Sequence, residues 1–129
     1  MRYMVMHYQT QAMEDGIPPT AQEQAAIGEY MKEAAMSGVL LSGEGVASSA
    51  KGARIEVQDG ATRVIDGPFA EAKELIAGFA ILDVGSLDEA IEHARRFALL
   101  VGSDRVDVRK VIEVEDLVLP EQRAQLEQG

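Results

Sequence analysis

The chain has 129 residues, a net charge of −10 and a sequence pI near 4.6, with 47% apolar residues, 26% charged residues and no cysteine. That length holds one domain. Disulfides, thiolate nucleophiles and thiolate metal sites are excluded, and the negative field repels nucleic acid and anionic membrane surfaces, so neither is expected as a partner.

No apolar run approaches the roughly 18 residues of a membrane span. The apolar stretch at the N-terminus is too short for a secretory signal, so the expected setting is cytoplasmic. His7 and His93 fall on different predicted elements without metal-ligand spacing, and neither a metal site nor a cofactor is expected.

In chain order, residues 2–8 read as a first strand rich in Tyr, Val and Met, apolar on both faces apart from Arg2 and His7. Residues 9–19, with Asp15-Gly16 and Pro18-Pro19, read as a loop. Thr20-Ala21-Gln22-Glu23 has capping-box spacing and opens a helix over 20–37. Its stripe is Ala26, Ile27, Tyr30, Met31, Ala34 and Ala35, and Gly38 stops it.

Val39-Leu40-Leu41 opens a second strand, followed by a small-residue region through Gly52. Residues 53–58 alternate with period two, Asp59-Gly60 signals a hairpin, and residues 62–65 return. After Asp66-Gly67-Pro68-Phe69 comes a short helical turn, then a central strand over 75–84 interrupted by Gly78. Ser86-Leu87-Asp88-Glu89 repeats the capping box. Leu87, Ala90, Ile91, Ala94, Phe97 and Ala98 then follow at helical spacing. A last strand spans 106–114, and residues 120–129 form a polar tail, a frayed helix or disordered, outside a domain of residues 1–119.

This order predicts an α+β fold: a ferredoxin-like split β-α-β with an inserted hairpin, its antiparallel sheet carrying two helices on one face. Strands apolar on both faces leave the second face in need of cover, which a second copy would supply by forming a homodimer.

The turn Asp66-Gly67-Pro68-Phe69 and the charged run after it are where the fold is expected to present chemistry. Asp66 either caps its own turn or presents a carboxylate at a pocket mouth. Pro68, with Gly67 before it, preorganises that carboxylate in both cases. Phe69 reads first as a core anchor, and Glu71, Lys73 and Glu74 as a solvated face. Lining a cleft, Lys73 would bind an anionic group and Glu71 would polarise water. Arg54, Arg63 and Arg109 need carboxylate partners, for which Asp66 and Glu44 are available, or else a ligand anion. His7 shares a strand face with Val5 and reads as a neutral core histidine, yet it is the strand histidine available to pair with a carboxylate.

The string from Asp66-Gly67-Pro68-Phe69-Ala70-Glu71-Ala72-Lys73-Glu74 to Gly78-Phe79, with Leu40-Leu41-Ser42-Gly43-Glu44-Gly45-Val46 and Lys51-Gly52-Ala53-Arg54 before it, strongly resembles the YCII-related family. Within it, the closest resemblance is to the subgroup named for Asp-Gly-Pro-Phe, over residues 1–113. The resemblance implies a dimeric α+β barrel of unknown function, in some genomes encoded beside extracytoplasmic-function sigma factors. The wider family has been proposed to act through a His-Asp pair whose histidine lies on the first helix. Residues 20–37 contain no histidine, which leaves Asp66 as the acidic candidate alone.

The leading expectation is a homodimer that binds a small polar metabolite in a cleft beside the turn, with or without turnover. Asp66 and His7 are the catalytic candidates, and Gly67, Pro68, Phe69, Glu71, Lys73 and Arg54 the ligand-binding ones. The alternative is a non-catalytic regulatory or interaction module linked to a sigma factor. A heme-degrading or quinone-type monooxygenase follows only from shared architecture.

Overall fold

The computed structural model describes residues 1–117 and 120–128. Four strands form one antiparallel sheet in the order β2-β5-β1-β6. They are β1 (Arg2–Tyr8), β2 (Leu40–Gly45), β5 (Ile76–Asp83) and β6 (Val106–Lys110). The inserted pair β3 (Ala53–Gln58) and β4 (Ala61–Asp66) makes a separate two-stranded sheet. With helices α2 (Ala21–Met36) and α3 (Leu87–Val101) crossing between strands, this is the expected ferredoxin-like α+β arrangement.

Both predicted N-caps form, each hydroxyl accepting the amide three residues on. The Thr20 hydroxyl accepts the Glu23 amide at 3.1 Å and donates to the Glu23 carboxylate at 3.0 Å. The Ser86 hydroxyl accepts the Glu89 amide at 3.2 Å while Glu89 reaches back to the Gly85 amide at 3.0 Å. Along α3, Ala90, Ala94 and Phe97 are buried at the predicted spacing. They pack on Tyr3 and Val5 of β1 and on Ala80 and Leu82 of β5, the core of the molecule. Burying a ring such as that of Phe97 contributes about 1.5–3 kcal/mol. The stripe of α2 is shallower, with Ile27, Tyr30, Met31 and Ala34 half-buried and no residue fully buried.

Strand alternation sends Tyr3, Val5 and His7 to the helix-covered face and Met4 and Met6 to the other. Met4, Met6, Phe79 and Ile81 are half-buried there. The Asp59-Gly60 turn, with φ of 51° and 78°, joins β3 to β4 as the sequence predicts.

Two elements depart from expectation, and the tail takes the helical one of its two expected forms. The 9–19 loop contains a short helix, α1 (Gln11–Glu14), because the Thr10 hydroxyl caps it by accepting the Met13 amide at 3.1 Å. Strand β6 stops at Lys110 rather than 114. Its partner β1 begins at Arg2, whose carbonyl accepts the Val111 amide at 3.0 Å, and beyond that point there is no strand to pair with. Pro120–Gln128 forms a fourth helix, α4, while residues 118 and 119, where domain was expected to meet tail, lie outside the described residues.

No helix among the described residues is long and apolar enough to cross a membrane. No group of three or more His, Cys, Asp or Glu side chains among them is placed to hold a metal ion.

Candidate functional site

On the helix side of the sheet lies a cavity of about 830 Å³, between β1, the 9–20 segment, α2, α3 and the end of β2. Its wall is mainly apolar, including Met13, Ile27, Met31, Phe97 and Val101, and His7 and Gln9 enter it from the end of β1. His7 packs edge-on against Phe97, with ring centroids 5.3 Å apart. Its Nδ1 is buried without a hydrogen-bond partner, and burial holds its pKa below the ordinary histidine value. Gln9 is only 5% exposed, and its Oε1 is likewise buried and unpartnered. Buried polar atoms are normally satisfied, so two orphans on one cavity wall mark a place built to meet something else.

The glycine in β5 makes room for this wall. A Cβ on Gly78 would lie 2.7 Å from His7 Nε2 and 2.8 Å from the Glu44 carbonyl oxygen. The interruption that the sequence placed at Gly78 is therefore a close approach of ring and backbone.

Beside the cavity, Glu14 gathers a dense set of donors, and sequence reasoning missed it. The carboxylate of this 7%-exposed residue accepts the Ser48 hydroxyl at 2.8 Å, the Ser49 amide at 2.5 Å and the Ser49 hydroxyl at 2.7 Å. These bonds, led by the Ser49 hydroxyl and including one from the Gln9 side chain, hold the Glu14 pKa below the usual carboxylate range. The Ser49 hydroxyl in turn accepts the Phe69 amide at 2.8 Å. Glu14 lies within the segment that reads as a loop, and a carboxylate there carries no signal of burial.

That last bond attaches the Asp66–Phe69 turn. The Gly67–Pro68 peptide is cis, and the Gly67 amide donates to the Gly52 carbonyl at 3.2 Å. A Cβ on Gly67 would fall 1.7 Å from the Ser49 carbonyl oxygen, which explains glycine there. The turn thus braces the segment that supplies Ser48 to the cavity.

The sequence-predicted site residues therefore separate into two places. His7 lines the cavity. Asp66, Gly67, Pro68, Phe69, Glu71, Lys73 and Arg54 are not among the described residues that line it. Asp66 is exposed at the end of β4 and is not brought to His7. Arg54 pairs with Glu71 and lies over the Phe69 ring at 4.1 Å, while Arg63 pairs with Glu56 at 2.7 Å. Their partners are thus Glu71, beyond the turn, and Glu56, in the hairpin, rather than Asp66 or Glu44. Its bond to Arg54 leaves Glu71 below the usual carboxylate range. Lys73 is exposed, and its carbonyl accepts from Arg105 at 3.0 Å.

A second polar group lies on the other sheet face. The Tyr8 hydroxyl donates to Asp107 at 2.5 Å, with Arg105 over the Tyr8 ring at 3.9 Å. That bond raises the Tyr8 pKa.

Fold and cavity together define a ferredoxin-like α+β protein with a ligand-sized hollow between sheet and helices. The model of the YCII-related domain matches residues 1–115, and the chain belongs to that family. An uncharacterised protein, R00369 of Rhizobium meliloti (strain 1021), is 58% identical over 36 residues, a stretch that covers 28% of this chain and 29% of that one.

Among solved structures, the fold is similar to that of 5-chloro-2-hydroxyhydroquinone dehydrochlorinase (TftG) from Burkholderia phenoliruptrix AC1100, in complex with 2,5-dihydroxybenzoquinone. The TM-score is 0.52 at 12% identity, over 89% of this chain and 97% of that one. At that identity the likeness is one of fold.

Proposed function

We propose that this YCII-related protein binds a small molecule in the cavity entered by His7 and Gln9. The Asp66–Phe69 turn serves as a brace for its wall rather than as its floor. The observation that carries this reading is the pair of buried, unpartnered polar atoms, His7 Nδ1 and Gln9 Oε1, opening into about 830 Å³ of mainly apolar space. A neutral imidazole there is also suited to accept a proton from a bound ligand, so His7 is the general base of any turnover at this site. The similarity in fold to a dehydrochlorinase crystallised with a dihydroxybenzoquinone supports a small-molecule role for this architecture.

In this reading two copies meet through the sheet face bearing Met4, Met6, Phe79 and Ile81, as a homodimer.

The test is thermal unfolding across a metabolite panel, comparing the natural chain with Ile27→Trp, which fills the cavity. Compounds that stabilise the first and not the second support the site. Stabilisation that survives the filled cavity rejects it.

A second reading, the non-catalytic interaction module, draws on one feature. Ile55, Val57 and Val64 line one face of the β3–β4 hairpin and are 59%, 71% and 63% exposed.

A further inference from the structure

We propose that this cavity selects ligands that donate hydrogen bonds from a largely apolar body, hydroxylated rings being the simplest case, and turns away carboxylates and phosphates. The inference rests on the cavity being the ligand site and names the chemistry of its occupant.

Most polar groups on the wall are already engaged. The Thr10 hydroxyl accepts the Met13 amide at 3.1 Å, and the Thr20 hydroxyl is tied to Glu23 by bonds of 3.1 and 3.0 Å. Ser48 donates to the Glu14 carbonyl at 2.6 Å and to its carboxylate at 2.8 Å, and accepts the Ala50 amide at 3.1 Å. Among the described residues, the buried side-chain atoms left without a partner are Nδ1 of His7 and Oε1 of Gln9, two residues apart along the chain.

Oε1 of Gln9 is an acceptor, and Nδ1 of a neutral His7 can serve as one. The Gln9 side chain also lies near enough to the Glu14 carboxylate to lower its pKa, and an ionised carboxylate only accepts. With its NH2 on the Glu14 side, the amide leaves its buried, unpartnered carbonyl oxygen for the cavity. In His7, Nε2 lies 2.7 Å from the point where a Gly78 Cβ would sit, and the Glu44 carbonyl oxygen lies 2.8 Å from the same point. The neutral tautomer protonated on Nε2 presents a lone pair at Nδ1 to a ligand donor. Burial keeps the ring neutral near pH 7, so the lone pair is available.

A ligand hydroxyl or N–H satisfies these atoms, whereas a carboxylate or phosphate would set its own lone pairs against them and lose its hydration as well. Lys51 is the one cationic side chain on the cavity among the described residues. It is exposed, so an anion held there stays in water, where the pairing contributes little.

The experiment measures binding of three probes with one ring system to the full chain by ligand-observed NMR: a naphthol, its methyl ether and the corresponding naphthoate. The naphthol should bind at least tenfold more tightly than either of the others. Gln9→Met should lower its affinity to that of the ether and leave the ether's affinity unchanged. His7→Phe should weaken the naphthol in the same direction, which covers the case in which Gln9→Met fails to fold.

Equal binding of all three probes, or tightest binding of the naphthoate, overturns the donor preference and leaves the cavity standing. A preference that survives both substitutions overturns the assignment of its acceptors. Binding of none overturns the cavity as a ligand site, and this inference with it.

Discussion

Glu14 and Ser49 are joined twice, by the Ser49 amide at 2.5 Å and by its hydroxyl at 2.7 Å, although 35 residues separate them. Through the Phe69 amide, which donates to the same hydroxyl at 2.8 Å, this pair ties the short helix α1 to the Asp66–Phe69 turn. The sequence marks that turn as the seat of chemistry. In the structure its attachments run toward the cavity wall, and the unpartnered polar atoms are elsewhere, at the end of β1.

The Glu14 linkage makes stability depend on acid in a defined direction. Because its pKa is lowered by folding, the contribution of Glu14 is complete above the unfolded carboxylate value and is lost as pH falls through the folded one. Thermal unfolding followed from pH 7 to pH 3 should show Glu14→Gln less stable at neutrality. The gap from the natural chain should narrow toward the acid end. A gap that stays constant with pH would mean that the charge of Glu14 plays no part.

His7 has its own window, at higher pH. Its folded pKa lies below the ordinary value of 6.5, so the unfolded chain takes up the proton first, and stability falls as pH drops from about 6.5 toward the folded value. His7→Phe should flatten that portion of the curve and leave the Glu14 portion in place. The same melts, sampled between pH 8 and pH 5, check this.

Gly67→Ala should cost about 2–3 kcal/mol, since its Cβ would fall on a backbone oxygen, that of Ser49, which no rotamer change relieves. Gly78→Ala meets the His7 ring at 2.7 Å and the Glu44 carbonyl oxygen at 2.8 Å, a milder overlap than that at Gly67, and its cost should be smaller. Its larger effect should be a weakened affinity for the naphthol probe. Urea unfolding and a binding isotherm for each variant separate the two outcomes.

The proposed dimer predicts a particle of twice the 13.9 kDa chain mass in light scattering after size exclusion. Met6→Lys, placing a charge on the half-buried second sheet face, should shift it to the single-chain mass. Replacing Ile55, Val57 and Val64 together with Ser should change unfolding free energy by less than about 0.5 kcal/mol per site, because all three are exposed. A large loss would mean that the hairpin face is covered in solution.

Much of the fold was legible because local chemistry decides it. Thr20 and Ser86 announce their helices through capping hydroxyls, Asp59-Gly60 closes its hairpin, and the spacing of Ala90, Ala94 and Phe97 is that of a buried helical face. His7 was placed on the correct face by counting from Val5.

What escaped depends on contacts between distant segments. Nothing near Glu14 in the sequence indicates that Ser48 and Ser49 will surround it, and Gln9 looked like the first residue of a loop. Arg54 found Glu71 beyond the turn rather than Asp66 because the bend at Gly67–Pro68 lays the run after it back against β3.

The central claim is that ligand enters the cavity at His7. Imidazole nitrogen NMR on protein labelled at histidine tests it most directly, because the chain holds two histidines and His93, on α3, is not among the described cavity residues. Titration with the naphthol should move the Nδ1 resonance of His7 and leave His93 unmoved. A saturable titration in which His7 stays still, while amides of the Asp66–Phe69 turn shift, would put the ligand at the turn and contradict the account.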